Sequence, residues 1–221
     1  MKIPVLLSWS SGKDSAFALY ELRQSKDYEV VGLLTTLTGA FDRVSMHGVR
    51  ETLLDRQALA VGLPVWKVSL PYPCPNEEYE RLMEQALGRA RSEGIRHVAF
   101  GDLYLEDIRR YREGRLSAVG MECLFPLWHQ ETAALAREMI AAGLRARICC
   151  LDPRQLDRSF AGREFDLALL EALPDRVDPC GERGEFHTFV TDAPGFHEPV
   201  PVKVGESIER DGFVFTDLEP I

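Results

Sequence analysis

What most constrains this chain is an alternation repeated along its first two thirds: an apolar run of strand length, then a segment of helical period, then another run. Ile3–Trp9 reads as the first strand, and Lys13–Gln24 follows with Ala16, Leu19, Tyr20 and Leu22 on one helical stripe. Glu29–Leu37 is a second strand, rich in β-branched residues. Val49–Val61 is a second helix, stopped by Gly62 with Pro64 beyond. Val65–Leu70 predicts a third strand, and Asn76 is read as the cap of a helix running to Ser92. His97–Phe100 is a fourth strand, Leu105–Val119 and Thr132–Ala142 are helical, and Ala146–Leu151 is a fifth strand. Strands separated by helices cannot be joined as hairpins, so the pattern predicts a doubly wound α/β fold with a mostly parallel sheet covered on both faces. Beyond Glu164–Leu173 the pattern changes. Pro201–Val204 and Phe213–Thr216 read as short strands around an Asp211-Gly212 hairpin turn. The expectation is a core over residues 1–152 and a smaller, loop-rich part over 153–221, packed into one body.

With 45% hydrophobic residues in 221, the chain can bury a full core without disulfide or metal staples. Its 26 basic against 35 acidic residues give a net charge of −9, which argues against nucleic acid as a broad, non-specific partner. The run at Ile3–Leu7 is too short for a signal segment or a membrane span, and no later run approaches about 20 apolar residues. The five cysteines are odd in number and none stands in C-x-x-C spacing, against a disulfide framework or a zinc ribbon. A cytoplasmic protein with no membrane partner is expected; a homodimer is among the expectations.

Ser8-Trp9-Ser10-Ser11-Gly12-Lys13-Asp14-Ser15 joins the first strand to the first helix, where open parallel sheets place their ligands. Small residues let the backbone approach an anion, the helix's free N–H groups favour phosphate, and Lys13 adds a point charge. A Walker A loop is excluded, because Asp14 follows Gly12-Lys13 and Leu7 stands where its first Gly would be. A second candidate is Asp178-Pro179-Cys180-Gly181-Glu182-Arg183-Gly184-Glu185-Phe186-His187-Thr188. Gly181 and Gly184 permit a tight backbone, and Glu182 and Glu185 are read as a carboxylate pair partly offset by Arg183. Such a pair could hold Mg²⁺ or ammonium, or take a proton from ammonium. The basic run Arg109–Arg115 is interleaved with acids and is read as a solvated, ion-paired helix face. Trp128 is read as packing.

Ser10–Ser15 resembles the S-G-G-x-D-S pyrophosphate loop of ATP pyrophosphatases in the adenine-nucleotide α-hydrolase superfamily. Ser11 stands where that pattern has the first of its two Gly residues, a change expected to be tolerated with a negative φ. Together with Ala99-Phe100-Gly101-Asp102, Pro126-Leu127-Trp128 and the Gly181–Thr188 motif, the sequence is similar to the diphthine–ammonia ligase family, in a form closer to bacterial members. The resemblance implies ATP and Mg²⁺ as cofactors, a small-molecule or protein-borne carboxylate as acceptor, and ammonium as nitrogen donor. It also implies adenylation of the carboxylate, pyrophosphate release, and displacement of AMP by ammonia. Lys13, Asp102, Glu182, Glu185 and His187 are the expected catalytic residues. Ser8, Ser10, Ser11, Gly12, Lys13, Asp14, Ser15, Thr35, His47 and Gly101 are expected around the nucleotide, with Asp14 and Asp102 on the metal. A tRNA-modifying ATP pyrophosphatase and a non-catalytic nucleotide sensor are the alternatives.

Overall fold

The computed structural model describes residues 2–221. Its elements follow in chain order. The first half holds β1 (Ile3–Ser8), α1 (Lys13–Gln24), β2 (Tyr28–Thr38), β3 (Arg43–Val44), α2 (Glu51–Val61), β4 (Val65–Leu70), α3 (Asn76–Ser92) and β5 (His97–Ala99). Then come α4 (Glu106–Ala118), β6 (Glu122–Leu124), α5 (Thr132–Ala141), β7 (Arg145–Leu151), α6 (Leu167–Ala172), β8 (Phe186–Asp192), β9 (Val202–Arg210) and β10 (Phe213–Pro220).

The first sheet runs β4-β2-β1-β5-β6 with every neighbour parallel, and β3 adds a short antiparallel edge to the end of β2. This is the doubly wound α/β arrangement that the alternation predicts. Chain order reverses between β1 and β5, so a crevice opens above their carboxyl ends. α3 and α4 cover one face: Leu87, Ala90 and Leu116 pack on Leu6, Leu34 and Val98. On the other face Phe17, Leu19, Leu53 and Leu54 join a core that continues through Leu135 and Met139 of α5 into Ile148, Phe186 and Phe189.

The fifth expected strand lies elsewhere than expected. β7 belongs to a second sheet, ordered β8-β7-β10-β9 and antiparallel throughout. Both sheets bury apolar runs, and an apolar run does not encode which sheet receives it. β8 went unread because its seven residues directly follow a glycine-rich turn. Asn76 is likewise not a cap: Pro75 holds that position and no side chain bonds the free amides. The hairpin is as read, with Asp211 and Gly212 both at positive φ (52° and 81°) between β9 and β10.

Gln57 joins the two halves. It is fully buried, accepts the Trp9 indole N–H at 3.0 Å, and donates to the carbonyls of Ser11 (3.1 Å) and Val190 (2.7 Å). Val190 of β8 also donates its amide to the Ser11 carbonyl at 2.9 Å. The second sheet therefore straps the first loop from behind.

Candidate active site

The loop between β1 and α1 is built around one strained residue. Ser11 has φ +71°, in the left-handed region, against the negative φ expected from its sequence. The loop keeps the shape a glycine would give it. The two bonds to the Ser11 carbonyl hold the conformation, at a cost of about 1 kcal/mol for a residue with a Cβ. Its hydroxyl is buried with no partner. Ser11→Gly is therefore expected to raise stability by about 0.5–1 kcal/mol, read from urea unfolding. An unchanged midpoint would refute the strain.

The remaining loop residues form a cradle at the start of α1. Gly12 precedes the helix, its amide 3.3 Å from the Ser10 hydroxyl, and Ser15 donates its hydroxyl to the Gly12 carbonyl at 2.9 Å. A Cβ at Gly12 would lie 2.7 Å from the His47 ring and 3.1 Å from the Thr188 carbonyl, so no larger residue fits. Lys13 is 2% exposed. Its ammonium contacts both Asp14 oxygens at 2.9 and 2.8 Å, donates to the Cys180 carbonyl, and lies over the Phe165 and Phe186 rings. Burial works against its charge, but Asp14, with smaller contributions from Cys180 and Glu182, more than offsets this and holds the pKa above its usual value. The Lys13 amide donates to the Thr188 hydroxyl at 3.1 Å, so β8 closes the cradle from the other side.

Opposite stand two carboxylates, Asp102 and Glu182. Gly101 follows β5, and a Cβ there would come 2.8 Å from the Asp14 backbone. Glycine is required because the two strand ends converge so closely. Asp102 is paired with Arg112: Nη2 donates to Oδ1 at 3.1 Å, while Nε and Oδ2 approach to 2.7 Å without alignment. Both of those last atoms are buried and lack a well-formed hydrogen bond. Glu182 accepts the Leu103 amide at 2.8 Å. Burial raises its pKa to about 7, with Asp14 and Asp102 adding repulsion. Glu182 is thus a carboxylate that exchanges a proton near neutrality, which is what general acid–base work requires.

Glu185 does not share that position. It is 1% exposed, and its two oxygens accept the backbone amides of Asp178 and Arg183, each at 2.9 Å. Asp178 completes the turn, taking the Cys180 amide at 2.8 Å, the Thr132 hydroxyl at 3.0 Å and the Tyr104 hydroxyl at 3.2 Å. Glu185 and Asp178 together fold the turn that presents Glu182. Spacing placed the two glutamates near each other, but Glu185 is buried with both oxygens on backbone amides, whereas Glu182 has one oxygen outside any protein hydrogen bond.

The histidines form a pair. His47 and His187 lie with ring centroids 4.7 Å apart. Burial lowers His47 to about 3, with His187 contributing, and lowers His187 to about 4. Both are neutral at physiological pH. His47 Nδ1 is 3.0 Å from the Thr188 carbonyl, so Nδ1 carries the proton. A base titrating near 4 is poorly matched to proton transfer at neutral pH, which leaves His187 a role as a neutral polar wall.

A cavity of about 190 Å³ opens over Ser8, Trp9, Ser10, Leu34, Thr36 and Ser45, bounded on its far side by Phe100, Arg112 and residues of α3 and α4. Thr35 is not among its lining residues. It is 2% exposed and its hydroxyl donates to the Trp9 carbonyl at 2.8 Å. Alternation along β2 turns Leu34 and Thr36 toward the cleft and Thr35 away from it. Thr36, Thr188 and Arg112 were missed from sequence. The parity of β2 was available for the first, whereas the other two depend on which elements meet. Arg109 and Arg110 pair with Glu113 and Asp107 as the interleaving implies, Arg115 pairs with Glu80 of α3, and Arg112 turns inward to Asp102. Trp128 packs against Phe125 at 5.5 Å beneath Arg109.

Fold and site together define a doubly wound α/β protein with a tight loop and buried lysine at the switch point of its parallel sheet, closed by a second, antiparallel sheet. Sequence models described as the diphthamide synthase N-terminal domain and the diphthamide synthase C-terminal domain match residues 1–123 and 131–217. The chain belongs to the diphthamide synthase family. It is 29% identical over 235 residues to a diphthine–ammonia ligase of Danio rerio, covering 95% of this chain and 90% of that one. The corresponding protein of Homo sapiens is 25% identical over 241 residues, covering 99% and 89%. The diphthine–ammonia ligase of Schizosaccharomyces pombe is 24% identical over 231 residues, covering 95% of this chain and 37% of its own length. Among the described residues no helix is long and apolar enough to cross a membrane, and the five cysteines are free.

Proposed function

We propose that this chain is an ATP-dependent ligase that adenylates a carboxylate and converts it to an amide with ammonia. The observation that carries this reading is the meeting of two unlike groups across one crevice: the Lys13 cradle at the start of α1 and Glu182 poised to exchange a proton near pH 7. The names of the relatives, diphthine–ammonia ligase, agree with it. The β- and γ-phosphates rest on Ser10–Ser15, and the adenosine occupies the cleft over Leu34, Thr36 and Phe100. An acceptor carboxylate oxygen attacks the α-phosphorus and pyrophosphate leaves with the P–O bond electrons. Ammonia then attacks the acyl carbon, AMP departs, and Glu182 takes the proton that the nitrogen sheds. Glu185 is a positioning residue for Glu182.

Mg²⁺ fits the acidic wall. Asp102 has a buried oxygen without a well-formed bond and Asp14 stands across from it, one or two carboxylates being the usual protein share of a Mg²⁺–phosphate site. Bound there, the ion would neutralise charge on the phosphates.

The test is product analysis. Incubation with ATP, ammonium and a panel of carboxylic acids is expected to yield AMP and pyrophosphate in step with amide. ADP and phosphate as products would overturn the reading.

A further inference from the structure

Gln57 does more than join the two halves of the molecule. It shares the buried face of α2 with Leu53, Leu54 and Ala58, where a leucine or methionine would fill similar space without the cost of burying an amide. What the amide adds is direction. The Trp9 indole only donates and the Ser11 and Val190 carbonyls only accept, so Oε1 faces Trp9 and the two Nε2 hydrogens face the carbonyls. Together with the Val190 amide, Gln57 fills both lone pairs of the Ser11 carbonyl. That carbonyl belongs to the same peptide as the Gly12 amide, and the two point in opposite directions across a trans bond. Pinning the carbonyl to the core therefore aims the Gly12 N–H outward, to the Ser10 hydroxyl at 3.3 Å on the lining of the cleft. This is a long bond, which an anion's oxygen can replace. A reversed peptide would turn a carbonyl oxygen onto the same spot. Ser11, at φ +71°, does not favour this conformation by itself.

We infer that Gln57 is a positioning residue for the phosphate cradle: it locks the Ser11–Gly12 peptide so that an amide, and not a carbonyl, meets the anion. The inference rests on the phosphate-binding part of the ligase reading and adds to it a residue that touches no substrate. Its effect falls on the phosphates and spares the nucleoside, whose proposed seat over Leu34, Thr36 and Phe100 is formed by other elements. Glutamate is no substitute, since a carboxylate would face two carbonyl oxygens with no N–H to give.

Calorimetric titration of the full chain with inorganic pyrophosphate and with adenosine, both in the presence of Mg²⁺, tests this. Gln57→Met is expected to weaken pyrophosphate about tenfold or more and adenosine by less than about twofold. Gln57→Asn, which disturbs packing less and withdraws the amide by one carbon, is expected to show the same selective loss. Thermal unfolding checks that each variant is folded. Glycine takes a positive φ without strain, so adding Ser11→Gly to either variant is expected to return about fivefold of the lost affinity. The same change in the unaltered protein is expected to gain less, because Gln57 already holds the loop there. Pyrophosphate held as tightly by the Gln57 variants as by the unaltered protein, or adenosine weakened as much as pyrophosphate, overturns the inference. A loss that Ser11→Gly leaves in place also overturns it. ADP in place of AMP as the product of turnover, with the pyrophosphate results as expected, overturns the ligase reading alone. An unaltered protein that binds no pyrophosphate overturns both.

Discussion

Glu182→Gln is expected to slow amide formation by about 10²–10⁴-fold while leaving ATP binding nearly intact, because it removes the one cleft carboxylate that titrates near neutrality. At constant free ammonia, the rate of the unaltered protein should climb with pH as Glu182 loses its proton, and the variant should lose that dependence. The same substitution should make the protein more stable at high pH. Burial raises the folded pKa of Glu182 from its ordinary 4.5 to about 7, so the folded state binds the extra proton. Stability contributed by this group is therefore present at low pH and lost as pH rises through that window. The amide cannot ionise. Glu182→Gln should thus match the unaltered protein at pH 4 and exceed it at pH 8 by on the order of 2 kcal/mol, less than the full shift implies because Glu182 is partly solvated. Urea unfolding at the two pH values measures the difference. A variant that is slower but no more stable at pH 8 would show that the proton is not held by Glu182.

Most of the parallel half of the fold was legible because local and tertiary signals agree there; the three-residue β6 was not read. α1 and α2 carry apolar stripes facing one core, and Gly62 adopts the left-handed conformation that ends α2. Agreement failed where one pattern suits two destinations. The apolar run of β7 satisfies either sheet, and its antiparallel place is set by β8 and β10, which lie far along the chain.

Much the same distinction runs through the site. Ser10, Gly12, Lys13 and Gly101 act through local backbone geometry, and a motif conveys that. Thr35, Glu185 and Arg112 depend on where a side chain points after packing. Thr35 is turned away by strand parity, Glu185 is consumed by two backbone amides, and Arg112 leaves an ion-paired helix face for Asp102. Charge patterning could not single out Arg112, since its partner lies ten residues back at the end of β5.

Lys13→Met should be the most damaging single change, for two separable reasons. It strips the cradle of its only buried cation among the described residues, and it leaves Asp14 and the Cys180 carbonyl without the ammonium they share. Breaking a buried pair from one side costs roughly 3–5 kcal/mol, mostly from the stranded partner. Adding Asp14→Asn removes that partner's charge, so the double variant should regain much of the lost stability. Turnover should not return, because the cradle still lacks its ammonium and Asp14 has lost its carboxylate. The pair also has a pH signature. Lys13 is held above its usual 10.5 by Asp14, so its contribution is complete below that value and vanishes as pH rises through the folded pKa. Alkaline unfolding of the unaltered protein should then start earlier in pH than that of the double variant. If Lys13→Met unfolds at the unaltered midpoint and still releases pyrophosphate, the lysine is neither a structural nor a phosphate-binding charge.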